Sequence, residues 1–275
     1  MIELIAEAGI NHNGNMDLAK KLIDVAYSAG CHYVKFQKRD IDLVYSKEEL
    51  DKPRESVWGT TTREQKEGLE FSYEEYEEIK RYCGDRIGWF ASPWDIKSLY
   101  DLILLKSKYI KIPSALITDK ELLRSCVDYD SQVILSTGMS TLSMIDEAIE
   151  ILGKDRVSCI MACTSTYPSK PEELNLNFIT TLKQRYPWVK IGFSNHNPGI
   201  VYMAIAAALG AEMIEFHITL DRAMPGSDQA SSIEPEGVFK LSKYIRGIEQ
   251  AMGDGVKKIY DSEIPIMKKL RKQYE

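Results

Sequence analysis

The chain has 275 residues, 44% of them hydrophobic and 28% charged, which suits one large domain with a substantial core and excludes a disordered polymer. A net charge of -6 and a pI near 5.5 argue against nucleic acid or an anionic membrane as partner. Five cysteines without a CxxC pair, an N-terminus lacking a basic region and no apolar run of bilayer length point to a reduced, cytoplasmic protein.

In chain order, the first predicted strand is "ELIAEAG" (3–9), which carries Glu7. The loop after it, "NHNG", holds His12, whose role stays open between a site group and a structural one. The pattern "NMDLAKKLIDVAYSAG" reads as a helix ending in glycine. A second strand, "YVKFQK" (33–38), offers Lys35 and Gln37, and His32 just before it reads as structural. Residues 39–72 then break the rhythm with a charged insertion bearing Arg39, Arg54, Arg63, Tyr45 and Trp58. Insertions of this length are commonly functional, and this one is expected to fold over the site as a lid.

After the helical "SYEEYEEIKRYCG", the strand "GWFASP" (88–93) brings Ser92, and "YIKIPS" (109–114) brings Lys111 and Ser114. "QVILST" (132–137) ends in Ser136 and Thr137, and is followed by the helical "TLSMIDEAIEILG". "VSCIMACT" (157–164) leads into Ser165 and Tyr167, "VKIGFS" (189–194) into Ser194 and His196, and "EMIEFHIT" (212–219) contains His217. A charged helix over about 262–275 closes the chain and is expected to pack on the domain or on a neighbour.

Eight strand–helix units in a single domain, 1–275, predict a (β/α)8 TIM barrel, typically about 250 residues long. The competing doubly wound sheet would show a GxGxxG turn, and there is none. In a barrel the active site lies at the C-terminal strand ends, where these polar groups fall. Singly, each has an ordinary structural explanation; their convergence is what carries weight. The last two strands and the first are neighbours, so His196, His217 and Glu7 face one another, and two imidazoles with oxygen ligands suit a divalent first-row metal. Lys35 and Lys111 put two ammonium groups in the same mouth, which calls for an anion such as phosphate or carboxylate. Cys159 and Cys163 share one side of a strand among apolar neighbours and read as packing.

Six stretches, "IAEAGINHNGNMDLAKKLIDVAYSAGCHYVKFQK", "KIPSALITD", "ILSTGMST", "CTSTYP", "FSNHNPGI" and "IEFHITLDRAMPGSDQASSIEP", together resemble the sialic acid synthase (N-acetylneuraminate synthase) family from residue 2 to about residue 260. The resemblance implies condensation of phosphoenolpyruvate with an N-acyl aldose such as N-acetylmannosamine, giving a nonulosonic acid and phosphate with a divalent Mn or Mg ion. It implies His196 and His217 as metal ligands, and Lys35, Lys111, Ser114 and Ser194 as holders of phosphoenolpyruvate, with Ser92, Ser136 and Ser165 in the same substrate-binding set. Glu7, Gln37, Tyr167 and Asp228 correspond to the catalytic residues around the reacting carbons and the acceptor. Glu234 matches a motif glutamate without an assigned role.

Departures are Leu116 where the family motif has glutamate, serine for threonine at Ser92, serine for asparagine at Ser165, and glutamine for histidine at Gln229. The sequence also stops where the family's C-terminal antifreeze-like domain begins, so the insertion is expected to replace part of it. Family members with that domain form swapped dimers, and a homodimer is expected here. The alternatives are a synthase for another 3-deoxy ulosonic acid (legionaminic, pseudaminic or deaminated), a Schiff-base aldolase using Lys35 or Lys111, and a silent sugar-binding protein.

Overall fold

The computed structural model describes residues 1–129 and 131–272. Its strands are β1 (Glu3–Gly9), β2 (Tyr33–Lys38), β3 (Pro53–Ser56), β4 (Gly59–Thr61), β5 (Gly88–Pro93), β6 (Ile110–Ile112), β7 (Val133–Ser136), β8 (Val157–Cys163), β9 (Lys190–Asn195) and β10 (Met213–His217). Eight of them close a parallel barrel in the order β1-β10-β9-β8-β7-β6-β5-β2, with β3 and β4 as a separate antiparallel hairpin. This is the (β/α)8 architecture expected from the alternation of short and long patterns. The observed β6 and β10 are shorter than their predicted runs, since pairing stops where the chain turns into the loops of the site.

Helices wrap the barrel with apolar stripes inward. Met16–Ser28 buries Ala19, Leu22, Ile23 and Ala26, spaced as one helical face, and the Asn15 side chain caps its start by accepting from the Leu18 N–H. Tyr73–Cys83 and Leu142–Leu152 do the same with Ser72 and Thr141 as caps.

The interior of the barrel has two layers. Ile5, Phe90, Ile134, Cys159, Met161 and Met213 form a small apolar cluster, flanked by Tyr33 and Tyr109. Strand side chains alternate faces, so the next inward residue lies two positions further along. Those residues are Glu7, Lys35, Ser92, Lys111, Ser136, Cys163 and Glu215, all of them polar or ionisable. The chain thus builds an apolar plug and sets a polar ring on top of it.

The 39–72 insertion is ordered. It contains the one-turn helices Ile41–Val44 and Lys47–Leu50, the β3–β4 hairpin, and helix Thr62–Leu69 with a Thr61/Glu64 capping box. It docks on the loop after β1. Gly14 has φ +67, and a Cβ there would lie 1.9 Å from the Gly68 carbonyl oxygen, so backbone meets backbone closely. Phe71 stacks on His12 at 4.1 Å.

Within 262–275 the helix spans only Ile264–Leu270, and almost all of the stretch from Met252 to Lys272 is exposed rather than packed on the barrel; 273–275 lie outside the described residues. No helix among the described residues is long and apolar enough to cross a membrane.

Candidate active site

A cavity of about 190 Å³ opens at the C-terminal ends of the barrel strands, below the ~300–1,000 Å³ of most small-molecule sites and therefore suited to a compact ligand. Of the residues expected from sequence, Lys35, Gln37, Ser92, Lys111, Ser114, Ser136, Ser165, Tyr167, Ser194, His196 and His217 line it. Glu7 and Asp228 do not line it, yet both touch its wall. Glu7 is fully buried with a carboxylate oxygen against Lys35 Nζ, and Asp228 Oδ2 lies 3.7 Å from His217 Nδ1. Register explains the first contact, because Glu7 pairs with His217 on one side and with Lys35 on the other.

The centre of the cavity is a residue that the sequence reading passed over. Glu215 Oε1 accepts from Lys111 Nζ and from Ser194 Oγ, both at 2.9 Å, and Glu215 Oε2 lies 3.7 Å from Lys35 Nζ. Burial raises a carboxyl pKa, but the Lys111 and Lys35 charges outweigh it and hold Glu215 down to about 2. Burial draws Lys35 down to about 7 against the opposing pull of Glu215. With Glu7 in contact as well, the two lysines face two carboxylates supplied by the protein itself. An incoming anion must share these ammonium groups with Glu7 and Glu215. Alternation would have revealed Glu215, since it stands two residues before His217 and shares its face.

His196 and His217 face each other with ring centroids 5.4 Å apart, and Tyr167 lies over the His196 ring at 4.1 Å. His196 Nδ1 is 2.7 Å from the Thr164 carbonyl oxygen, a contact that requires the proton on Nδ1, so that in the neutral ring the lone pair is on Nε2. His217 Nδ1 is buried without a hydrogen-bond partner, and burial lowers its pKa to about 4, so the ring is neutral. A neutral imidazole with an orphaned nitrogen beside a tautomer-fixed one fits two ligands of a divalent first-row cation. Among the described residues no cluster of three or more His, Cys, Asp or Glu groups could hold a metal alone, so the remaining ligands would be water or substrate.

Cys163 corrects the packing assignment. Cys159 belongs to the apolar plug as expected, but Cys163 lines the cavity 3.9 Å from His196 Nδ1. Burial would raise the thiol, yet the neighbouring His196 outweighs it and brings Cys163 down to about 7, while Cys163 in turn raises His196. Beside it, Ser114 Oγ accepts from the Gly138 N–H at 3.0 Å. A Cβ at Gly138 would fall 2.1 Å from Ser165 Oγ and 2.7 Å from Ser114 Oγ, so only glycine lets both hydroxyls lie this close to the backbone.

His12 resolves to a structural role. It is buried, stacked on Phe71, accepts from the Gly14 N–H at 3.1 Å, and burial lowers its pKa to about 3. His32 Nδ1 accepts from the Leu4 N–H, as a structural histidine would. Leu116 packs against the core and does not line the cavity. No residue of 39–72 lines the cavity either. The insertion reaches the site through Arg39 alone, whose Nη2 donates to Gln37 Oε1 at 2.5 Å and turns the Gln37 amide N–H toward Glu7 Oε1 at 3.3 Å. Trp94 and Met139, which no pattern singled out, complete the rim.

Comparison with known proteins places this chain among relatives. Residues 22–257 match the model of the NeuB family. Human N-acetylneuraminate-9-phosphate synthase is 34% identical over 274 residues, covering 98% of this chain and 76% of its own. The N,N'-diacetyllegionaminic acid synthase of Campylobacter jejuni is 36% identical over 270 residues, covering 94% and 80%. Among solved structures, the N-acetylneuraminic acid synthetase of Leptospira borgpetersenii in complex with citrate superposes with a TM-score of 0.84 at 31% identity, over 99% of this chain and 93% of that one.

Proposed function

This chain belongs to the NeuB family, and we propose on that premise that it condenses phosphoenolpyruvate with an N-acyl aldose to form a nonulosonic acid, releasing phosphate. The observation that carries the reading is one small cavity in which two facing histidines adjoin two lysines and the hydroxyls of Ser114 and Ser165, groups that together can receive an anion. An anion receptor, cations and two metal-type ligands are what joining an enol phosphate to an aldehyde requires.

Lys35 and Lys111 hold the carboxylate and phosphate of the enol substrate, sharing their charge with Glu215. Ser114, Ser136, Ser165 and Ser194 fix its orientation, with Ser114 held by the Gly138 N–H and Ser92 beside Lys35 at 3.3 Å. His196 and His217 would hold a divalent Mn or Mg ion, which when bound polarises the carbonyl of the acceptor. Carbon–carbon bond formation leaves positive character at C2, to which water adds before phosphate departs. Glu7, oriented by Gln37, is placed to take the proton of that water, and Asp228 orients the acceptor beside His217. Tyr167 covers His196 and helps exclude bulk water.

The test is mass spectrometry of the products from phosphoenolpyruvate, manganese and mixed N-acyl aldoses. The expected result is an acid three carbons longer than its acceptor, formed together with phosphate. Phosphoenolpyruvate left unconsumed across the panel would refute the reading. A Schiff-base aldolase is the second reading, favoured by the lowered pKa of Lys35. Borohydride trapping with pyruvate separates the two, since the synthase predicts no adduct.

A further inference from the structure

Gln37 stands between Arg39, the first residue of the insertion, and Glu7. Its backbone is fixed by the Tyr76 hydroxyl, which donates to the Gln37 carbonyl at 2.5 Å. What remains to be set is the side-chain amide, whose two ends differ in sign. With its N–H toward Glu7 it donates to the carboxylate; turned over, it would set oxygen against oxygen.

A guanidinium carries donors only, so it can meet Gln37 only at the amide oxygen. Arg39 Nη2 makes that contact at 2.5 Å, which leaves the Gln37 N–H to Glu7 Oε1 at 3.3 Å. The choice matters during the reaction. A carboxylate that has taken a proton from water can donate it, and would then accept the opposite end of the amide. Arg39 keeps the amide from following.

Arg39 is itself held from several sides. Its Nε lies 2.8 Å from Glu70 Oε1, and its backbone N–H donates to Glu70 Oε2 at 3.2 Å. Nη1 donates to the Tyr45 hydroxyl at 3.1 Å. The guanidinium carbon sits 4.8 Å from the centre of the Trp94 ring, and Trp94 lines the cavity. Glu70 and Tyr45 both belong to the insertion. Burial lifts the Glu70 carboxyl to about 7 against the pull of Arg39, Lys38 and Lys66. A buried ion pair of this kind adds little net stability, so what it supplies is direction.

Resting on the synthase reading, we infer that Arg39 is a positioning residue of the reaction: braced by Glu70, it fixes the Gln37 amide that aims Glu7. Arg39→Met keeps an unbranched side chain over Trp94 and removes every donor. It should fold, because Glu70, already near 7, takes a proton once the cation is gone. Should it not, Arg39→Met combined with Glu70→Gln leaves no charge behind and replaces it.

The experiment measures phosphate release from phosphoenolpyruvate with the full chain, manganese and mixed N-acyl aldoses, per mole of folded protein. The expected kcat falls at least about tenfold, while KM for phosphoenolpyruvate stays within about twofold because Lys35 and Lys111 are untouched. On a Gln37→Ala background the same substitution should change kcat by less than about twofold, since its effect passes through Gln37. A brace for the fold would instead lower the denaturation midpoint and leave kcat of the folded enzyme unchanged. Full kcat in Arg39→Met, or a loss that multiplies with that of Gln37→Ala, overturns the inference and leaves the synthase reading standing. A wild-type chain that consumes no phosphoenolpyruvate overturns both.

Discussion

The plug and the ring above it are made by the same strands, two residues apart, and they do opposite work. Ile5, Phe90, Ile134 and Met213 are fully buried and touch only one another and their neighbours in the barrel, so their identity sets packing. Glu7, Lys35, Ser92 and Glu215 are almost as deeply buried, but each is tied to a charge or hydroxyl on a different strand. A dry floor beneath a charged ring lowers the local dielectric, which strengthens every electrostatic contact made there. The difference teaches that burial alone does not separate core from site; what separates them is whether the buried group is paired through space.

Substitutions at the two levels therefore predict different losses. His217→Ala, or chelation, should lower kcat by about a thousandfold or more with little change in Tm, and added manganese should restore the chelated enzyme but not the variant. Retention of activity without metal would break the distinction at its strongest point. Glu215→Leu sharpens it by leaving two buried ammonium groups short of a partner, a cost of about 3–5 kcal/mol visible in denaturant titration together with impaired turnover. Ile134→Ala, one layer below, should cost about 3 kcal/mol through the cavity it leaves while KM for both substrates holds steady. A large KM change there would show that the plug is part of the site.

His12 is the most discriminating case, a buried titratable group that behaves as packing. Its folded pKa of about 3 lies below the 6.5 of the unfolded chain, so between those values the unfolded state binds more protons. Its contribution is intact above 6.5 and is lost as pH falls toward 3, at up to about 1.4 kcal/mol per pH unit. His12→Phe, which preserves the stack on Phe71, should flatten that slope in urea titrations between pH 6.5 and 4. An unchanged slope would assign the acid sensitivity to other groups.

Much of this was legible in the chain. Eight alternating patterns gave the barrel because periods of two and 3.6 are written directly into apolar spacing, and the polar residues at strand ends gave most of the cavity wall. Glu215 was not singled out because "MIEFHI" is dominated by its histidine, although strict alternation marks both. Cys163 was assigned to packing from its apolar sequence neighbours, of which Ile160 and Ala162 point the other way and Met161 lies one layer below in the plug. The insertion was expected over the mouth because loops after barrel strands emerge there; its direction was set by backbone contact between Gly14 and Gly68, which no periodicity encodes.

The sequence by itself determined which residues alternate, which face of each strand is polar, and where helices start and stop, since these depend on neighbours within a few positions. Closure of the barrel decided the rest. Only the tertiary structure brings Lys111 to Glu215 across 104 residues and sets Glu7 between Lys35 and His217, because the partner of a buried charge is chosen by register and curvature rather than by distance along the chain.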